Sequence, residues 1–245
     1  MKIRKIFIPR KSINKQANNE ERFLFYMSNW FLSEIRTLKS LYFFSMNVKD
    51  ASPPEVYGRN YRTMFIGCLL GAKLWEGWQM LQKCYFPTKM HLKYEPLYSQ
   101  QAKTSLDFLK NYFNKGKNTI IGKIRESTFH YPTHQQEKNA FEKYFTPERE
   151  DEGVYYFVSN TYEQSLFSID QFIVSFKEKT KAKDIRNAIK IFHKEVQEVI
   201  INFFSFLGEY ILLFQKKCAF SQEDMQLENL AIRKEISIPF FYKEN

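Results

Sequence analysis

Two residues suited to phosphate chemistry stand five positions apart in this chain. They are Arg125 and His130, in the string Arg125-Glu126-Ser127-Thr128-Phe129-His130. Cleaving an RNA strand through its own 2′-hydroxyl needs that hydroxyl to lose a proton. The charge that gathers on the phosphorane must be stabilised, and the departing 5′-oxygen must gain a proton. An imidazole exchanges protons near neutral pH. A guanidinium holds non-bridging phosphate oxygens and the charge developing on them. One Arg and one His are therefore a minimal kit, and two copies across a symmetric interface would supply both an acid and a base. That incompleteness is the reason to expect a homodimer. In an ideal helix, residues five apart diverge by roughly 140°. Pairing the two requires the arginine to wrap round, or the helix to loosen before Pro132.

The surroundings of the motif are basic. Lys115, Lys117 and Lys123 bring positive charge close to it, and with Tyr131 they are the candidate RNA-binding residues. A second string, Arg186-Asn187-Ala188-Ile189-Lys190-Ile191-Phe192-His193, also pairs Arg with His. Its seven-residue spacing places both on one helix face, about 20° apart. The plainer reading of this second string is an amphipathic helix with polar residues beside its apolar seam.

The chain of 245 residues carries 37 Lys and Arg against 27 Asp and Glu, a formal charge of +10 that favours polyanionic partners. No Gly-rich phosphate loop, H-E-x-x-H or G-x-S-x-G string occurs, and no cluster has metal-ligand spacing, so neither cofactor nor metal is expected. His91 and His134 fall in segments read as exposed connections. Cys68, Cys84 and Cys218 are far apart, form no C-x-x-C pair, and are expected to be reduced. Residues 1–12 are basic around the short run Ile6-Phe7-Ile8 and lack the apolar stretch of a signal peptide. The most hydrophobic segment, 199–214, is broken by Asn202 and Glu209 and is shorter than the ~20 residues needed to span a bilayer. A cytoplasmic protein with no membrane association follows as the expectation.

The elements that must position these residues are helical. With 44 % apolar residues but only 8 Gly and 8 Pro, long stretches lack breakers. A single all-α domain over 1–245, an antiparallel bundle of about six helices, is expected. Residues 1–18 read as a flexible or strand-like arm. A helix starting near Asn18 or Asn19 turns Leu24, Met27, Phe31, Ile35, Leu38 and Tyr42 to one side. Ser52-Pro53-Pro54 marks a loop over 51–58, residues 61–86 a helix ended by Pro87, and 91–97 a connection. A third helix over 99–113 turns Ala102, Leu106, Leu109 and Phe113 inward, and a turn around Gly116 leads to the helix carrying Arg125. Residues 133–153 read as a surface loop, 154–158 as a strand or helix entry, 161–177 as helix and 236–241 as an extended tail. Asp184 caps the last long helix, to about Lys217. Its seam (Ile185, Ile189, Phe192, Val196, Val199, Phe203, Phe206, Tyr210) can pack within the chain or against a second subunit.

The segment Ile124-Arg125-Glu126-Ser127-Thr128-Phe129-His130-Tyr131-Pro132 resembles the "IRN…FHYP" run of HEPN-superfamily proteins. The approach is also similar: a Trp-containing helix, then Tyr94-Glu95-Pro96-Leu97, then a short helix ending in Tyr112-Phe113. The resemblance covers residues 60–135. It implies a helical bundle, often dimeric, with an R-x4–6-H ribonuclease motif in a composite cleft. By that resemblance Arg125 binds phosphate and His130 acts as acid or base. Glu126 stands where the family favours Asn, Asp or His; its carboxylate can orient Arg125 or His130 but repels phosphate. A metal-independent endoribonuclease, acting as a toxin or anti-phage effector beside an antitoxin partner, is the function this implies. The alternative is a non-catalytic helical module that binds nucleic acid or a protein partner.

Overall fold

The computed structural model describes residues 2–46, 53–128, 176–177 and 179–226. The readings for 133–153, 154–158, 161–175 and 236–241 lie outside these residues. So do His130, Tyr131 and His134. Among the described residues the chain is all-α. Its helices are α1 (Arg10–Gln16), α2 (Asn19–Met46), α3 (Pro53–Cys84), α4 (Met90–Tyr94), α5 (Gln100–Asn114), α6 (Ile120–Thr128) and α7 (Ile185–Lys217). Short 3-10 turns occupy Glu95–Leu97 and Gly116–Asn118. Two strands, β1 (Lys2–Phe7) and β2 (Ser221–Gln226), pair antiparallel with Lys2 opposite Gln226 and Phe7 opposite Ser221.

Several boundaries differ from expectation. The arm holds the strand β1, in line with its strand-like reading, and also the helix α1, which was not expected. The double proline opens α3 rather than marking a loop, because a first-turn amide has no helical partner to lose. Residues 91–97 are α4 and a 3-10 turn, not an open connection. His91 is half-buried there, its ring 6.3 Å from that of Tyr85 and 6.0 Å from that of Phe86.

The residues cluster into two compact units. The first comprises 1–37, 73–115 and 198–235. In it, Asn18 and Glu21 form a reciprocal cap at the start of α2: each backbone N–H donates to the other's side chain, at 2.9 and 3.0 Å. Aromatic pairs build the core, with Phe25 stacked on Phe214 at 4.2 Å and Trp78 on Phe113 at 5.2 Å. Phe31 meets Phe203 edge-on at 4.9 Å. Phe31 also lies over Gly77, where a Cβ would come within 2.3 Å of its ring, so only glycine admits this approach. By length and composition α7 could cross a membrane, yet its Phe203, Phe206, Tyr210 and Phe214 are fully buried in this unit.

The second unit comprises 38–72, 116–197 and 236–245. Here Phe192 packs over Gly67, meeting the edge of Phe176 at 5.4 Å. The Ser45 and Thr63 hydroxyls share a buried hydrogen bond of 3.0 Å. From Phe192 onward, the α7 seam residues Phe192, Val196, Val199, Phe203, Phe206 and Tyr210 are all buried by the chain itself. A partner subunit would need another surface.

Candidate functional site

The helix that carries Arg125 follows a 3-10 turn opened by a left-handed glycine, Gly116, with φ +54°. Two side chains then satisfy the first amides of α6, which have no helical partners. The Thr119 hydroxyl accepts from Gly122 N–H at 3.0 Å and donates to the Gly116 carbonyl at 2.9 Å. From α7, one carboxylate oxygen of Glu195 accepts from Ile120 N–H at 2.8 Å and from Ile121 N–H at 3.3 Å. Ile121 and Ile124 are fully buried and hold the helix down.

Arg125 lies in the last turn of α6, one residue beyond Ile124, and is half-buried. Like Lys123 it has an interaction partner. Glu126 follows within α6. Arg125 is thus presented at the margin of the buried face of a helix fixed at its other end. Of the candidate RNA-binding residues, Lys123 is half-buried on α6. Lys117 lies in the 3-10 turn before α6, and Lys115 is exposed as the C-cap of α5.

The second Arg/His pair is fully described, and α7 keeps it apart. Asp184 caps the helix as expected, its carboxylate accepting from Asn187 N–H and from the Asn187 amide at 2.8 Å each. Arg186 is exposed in the first turn. His193 lies two turns on, roughly 10 Å along the axis. It is half-buried, stacked on Tyr42 at 5.8 Å and edge-on to Phe43 at 5.7 Å. Burial, then the nearby Lys39 ammonium, lowers its pKa and favours the neutral ring. Burial likewise pushes the Tyr42 hydroxyl up to about 12. This histidine belongs to an aromatic packing cluster.

Sequence reasoning missed two features. Glu195 has no local spacing signal, because its partners are backbone amides 74 and 75 residues away. In the first unit, Glu21 is 1 % exposed and bound by Lys217, Lys93 and the Tyr94 hydroxyl. Its Asn-x-x-Glu spacing was readable as a cap, but not as an ionic hub. The same unit has a groove of about 330 Å³ lined by Asn19, Glu20, Phe23, Lys83, Cys84 and Thr88. Burial raises the Cys84 pKa, which keeps that thiol protonated.

Comparisons with protein-family models, with curated proteins and with solved structures found no match.

Proposed function

We propose that this chain is a HEPN-like, metal-independent endoribonuclease, a toxin or anti-phage effector whose partner is an antitoxin. The observation that carries the reading is the presentation of Arg125. The guanidinium belongs to a helix clamped at its N-terminus by Glu195, and it precedes His130 by the R-x4-H spacing. A fixed arginine stabilises phosphorane charge without reorganising during the reaction. The all-α fold and the charge of +10 support the same reading. In this mechanism Arg125 holds the scissile phosphate, His130 moves a proton and Glu126 orients one of them. A second copy supplies the complementary pair. The test is purified protein against total RNA with and without EDTA, with Arg125→Ala and His130→Ala in parallel. Equal inactivity of the wild type and both variants would overturn it.

The non-catalytic alternative is favoured by a different observation. Phe23, Tyr26 and Trp30 are 53, 58 and 66 % exposed and share one face of α2, as binding surfaces often do.

A further inference from the structure

The approach to α7 and its first turns carry six exposed cations: Lys177, Lys181, Lys183, Arg186, Lys190 and Lys194. They form one feature because the chain turns sharply between them. Lys181 adopts φ +54° and ends the preceding helical turn, with Ala182 N–H donating to the Lys177 carbonyl at 3.2 Å. Phe176 packs on Phe192, holding this corner against α7. Along α7, Arg186, Lys190 and Lys194 then recur every fourth residue, a strip rising about 6 Å per step.

Ordinary solvated lysines are interspersed with acids that offset them. Here the stretch 177–198 holds Glu178, Asp184, Glu195 and Glu198 against a larger number of lysines and arginines, and two of these acids are bonded within the fold, Asp184 to the Asn187 cap and Glu195 to the α6 amides. Arg186 lies in the first turn of α7, where the Asp184 cap carboxylate already answers the positive end of the helix dipole. The exposed cations outnumber the acids of this stretch, so the strip presents a net positive face that an extended polyanion would neutralise. Among the residues whose exposure is described, only Ile191 adds an exposed large apolar side chain to these turns, at 40 %, too little for insertion into a lipid interface.

We propose that Lys181, Lys183, Arg186, Lys190 and Lys194 form the surface on which the backbone of single-stranded RNA docks. The choice of RNA among polyanions rests on the proposed ribonuclease reading, but the docking is tested separately from cleavage. Binding of a fluorescent single-stranded RNA is measured across a salt series, in EDTA and in an Arg125→Ala background. Arg186→Ala/Lys190→Ala/Lys194→Ala is compared with Arg10→Ala/Lys11→Ala/Lys15→Ala, an exposed α1 triple with the same change in net charge. Each lost phosphate contact on a single strand should lower the slope of log K against log salt by about 0.7. The α7 triple should thus lower it by about 2 and weaken binding tenfold or more near physiological salt. The α1 triple should leave both nearly unchanged. Equal loss in the two triples would reduce the effect to net charge and overturn the proposal, and so would no loss in either. Tighter binding of the parent to phosphatidylserine vesicles than to RNA, abolished by the α7 triple, would overturn it in favour of a membrane surface. A wild type that binds in this way but never cleaves would leave the docking surface standing and remove the ribonuclease reading.

Discussion

The Lys217 ammonium lies 2.8 Å from both carboxylate oxygens of Glu21, joining the end of α7 to the start of α2. The Tyr94 hydroxyl donates to the same carboxylate at 2.8 Å, and Tyr210 donates to the Glu21 backbone carbonyl at 3.0 Å. Burial alone would raise the Glu21 pKa. The Lys217 and Lys93 hydrogen bonds, with the Asn18 amide and the Tyr94 hydroxyl, outweigh burial and hold it at about 2.

The folded-state pKa of Glu21 is depressed from 4.5. Its contribution is therefore fully present above pH 4.5 and is lost as pH falls toward 2. Urea titrations at a series of pH values should show stability dropping through this window. Glu21→Gln should be less stable at pH 7 by about 2–3 kcal/mol, because two ammonium groups lose their carboxylate while staying partly solvated. It should also lose less on acidification. An unchanged acid limb would rule out Glu21 as its source.

Glu195→Ala removes the acceptor for two α6 amides. A lost cap of this kind costs about 1–2 kcal/mol. The α6 helix should loosen locally, with faster hydrogen exchange at Ile120 and Ile121, while far-UV circular dichroism stays close to wild type. RNA cleavage should fall with it, since Arg125 is carried by that helix. Unchanged exchange at these amides would show that Glu195 does not hold the helix.

Arg125→Ala and His130→Ala should each lower cleavage by at least about a hundredfold without unfolding the protein, since charge stabilisation and proton transfer cannot replace one another. Activity should survive EDTA, and the products should carry 2′,3′-cyclic phosphates. Arg186→Ala and His193→Ala should leave turnover at saturating RNA nearly unchanged. Loss of turnover only in the His193 variant would move the site to α7. Light scattering should find a homodimer at micromolar concentration; a monomer would count against a composite site.

Gly77→Ala places a methyl group where the Phe31 ring already lies, 2.3 Å away. Overpacking of this kind costs about 1–3 kcal/mol. Phe31→Leu should offset part of it in the double variant. Additive losses in the double-mutant cycle would mean that the two positions are not in contact.

The legible parts of the fold were those written in local pattern. The α2 face, the inner face of α5, the Asp184 cap and the α7 seam follow from local spacing: Leu24, Phe31, Ile35 and Tyr42 of α2, the four α5 residues and the seam from Phe192 onward are buried and Asp184 is bonded, while Met27, Leu38 and Ile189 are half-buried. Elements fixed by distant partners were not legible. β2 reads Ser-Gln-Glu-Asp-Met-Gln, with no β-branched or aromatic residue, and is a strand only because β1 supplies its ladder. Arg125 was legible as a candidate because residue type and spacing suggest its chemistry. Its clamp, Glu195, is set by the packing of α6 beside α7, which no local spacing encodes.

The pairing of β1 with β2 bears on how the chain acquires its structure. A strand at residues 2–7 waits for one at 221–226, Ser12 bonds the Cys218 carbonyl, and the Glu21 carboxylate waits for Lys217. Each of these closures spans nearly the whole described chain, so none can form while most of it is still being synthesised. Such long-range contacts fold slowly because loop entropy must be overcome before they add stability. The contacts that close the first unit therefore form late, after β2 has emerged, while local features such as the Asn18–Glu21 cap need no such wait.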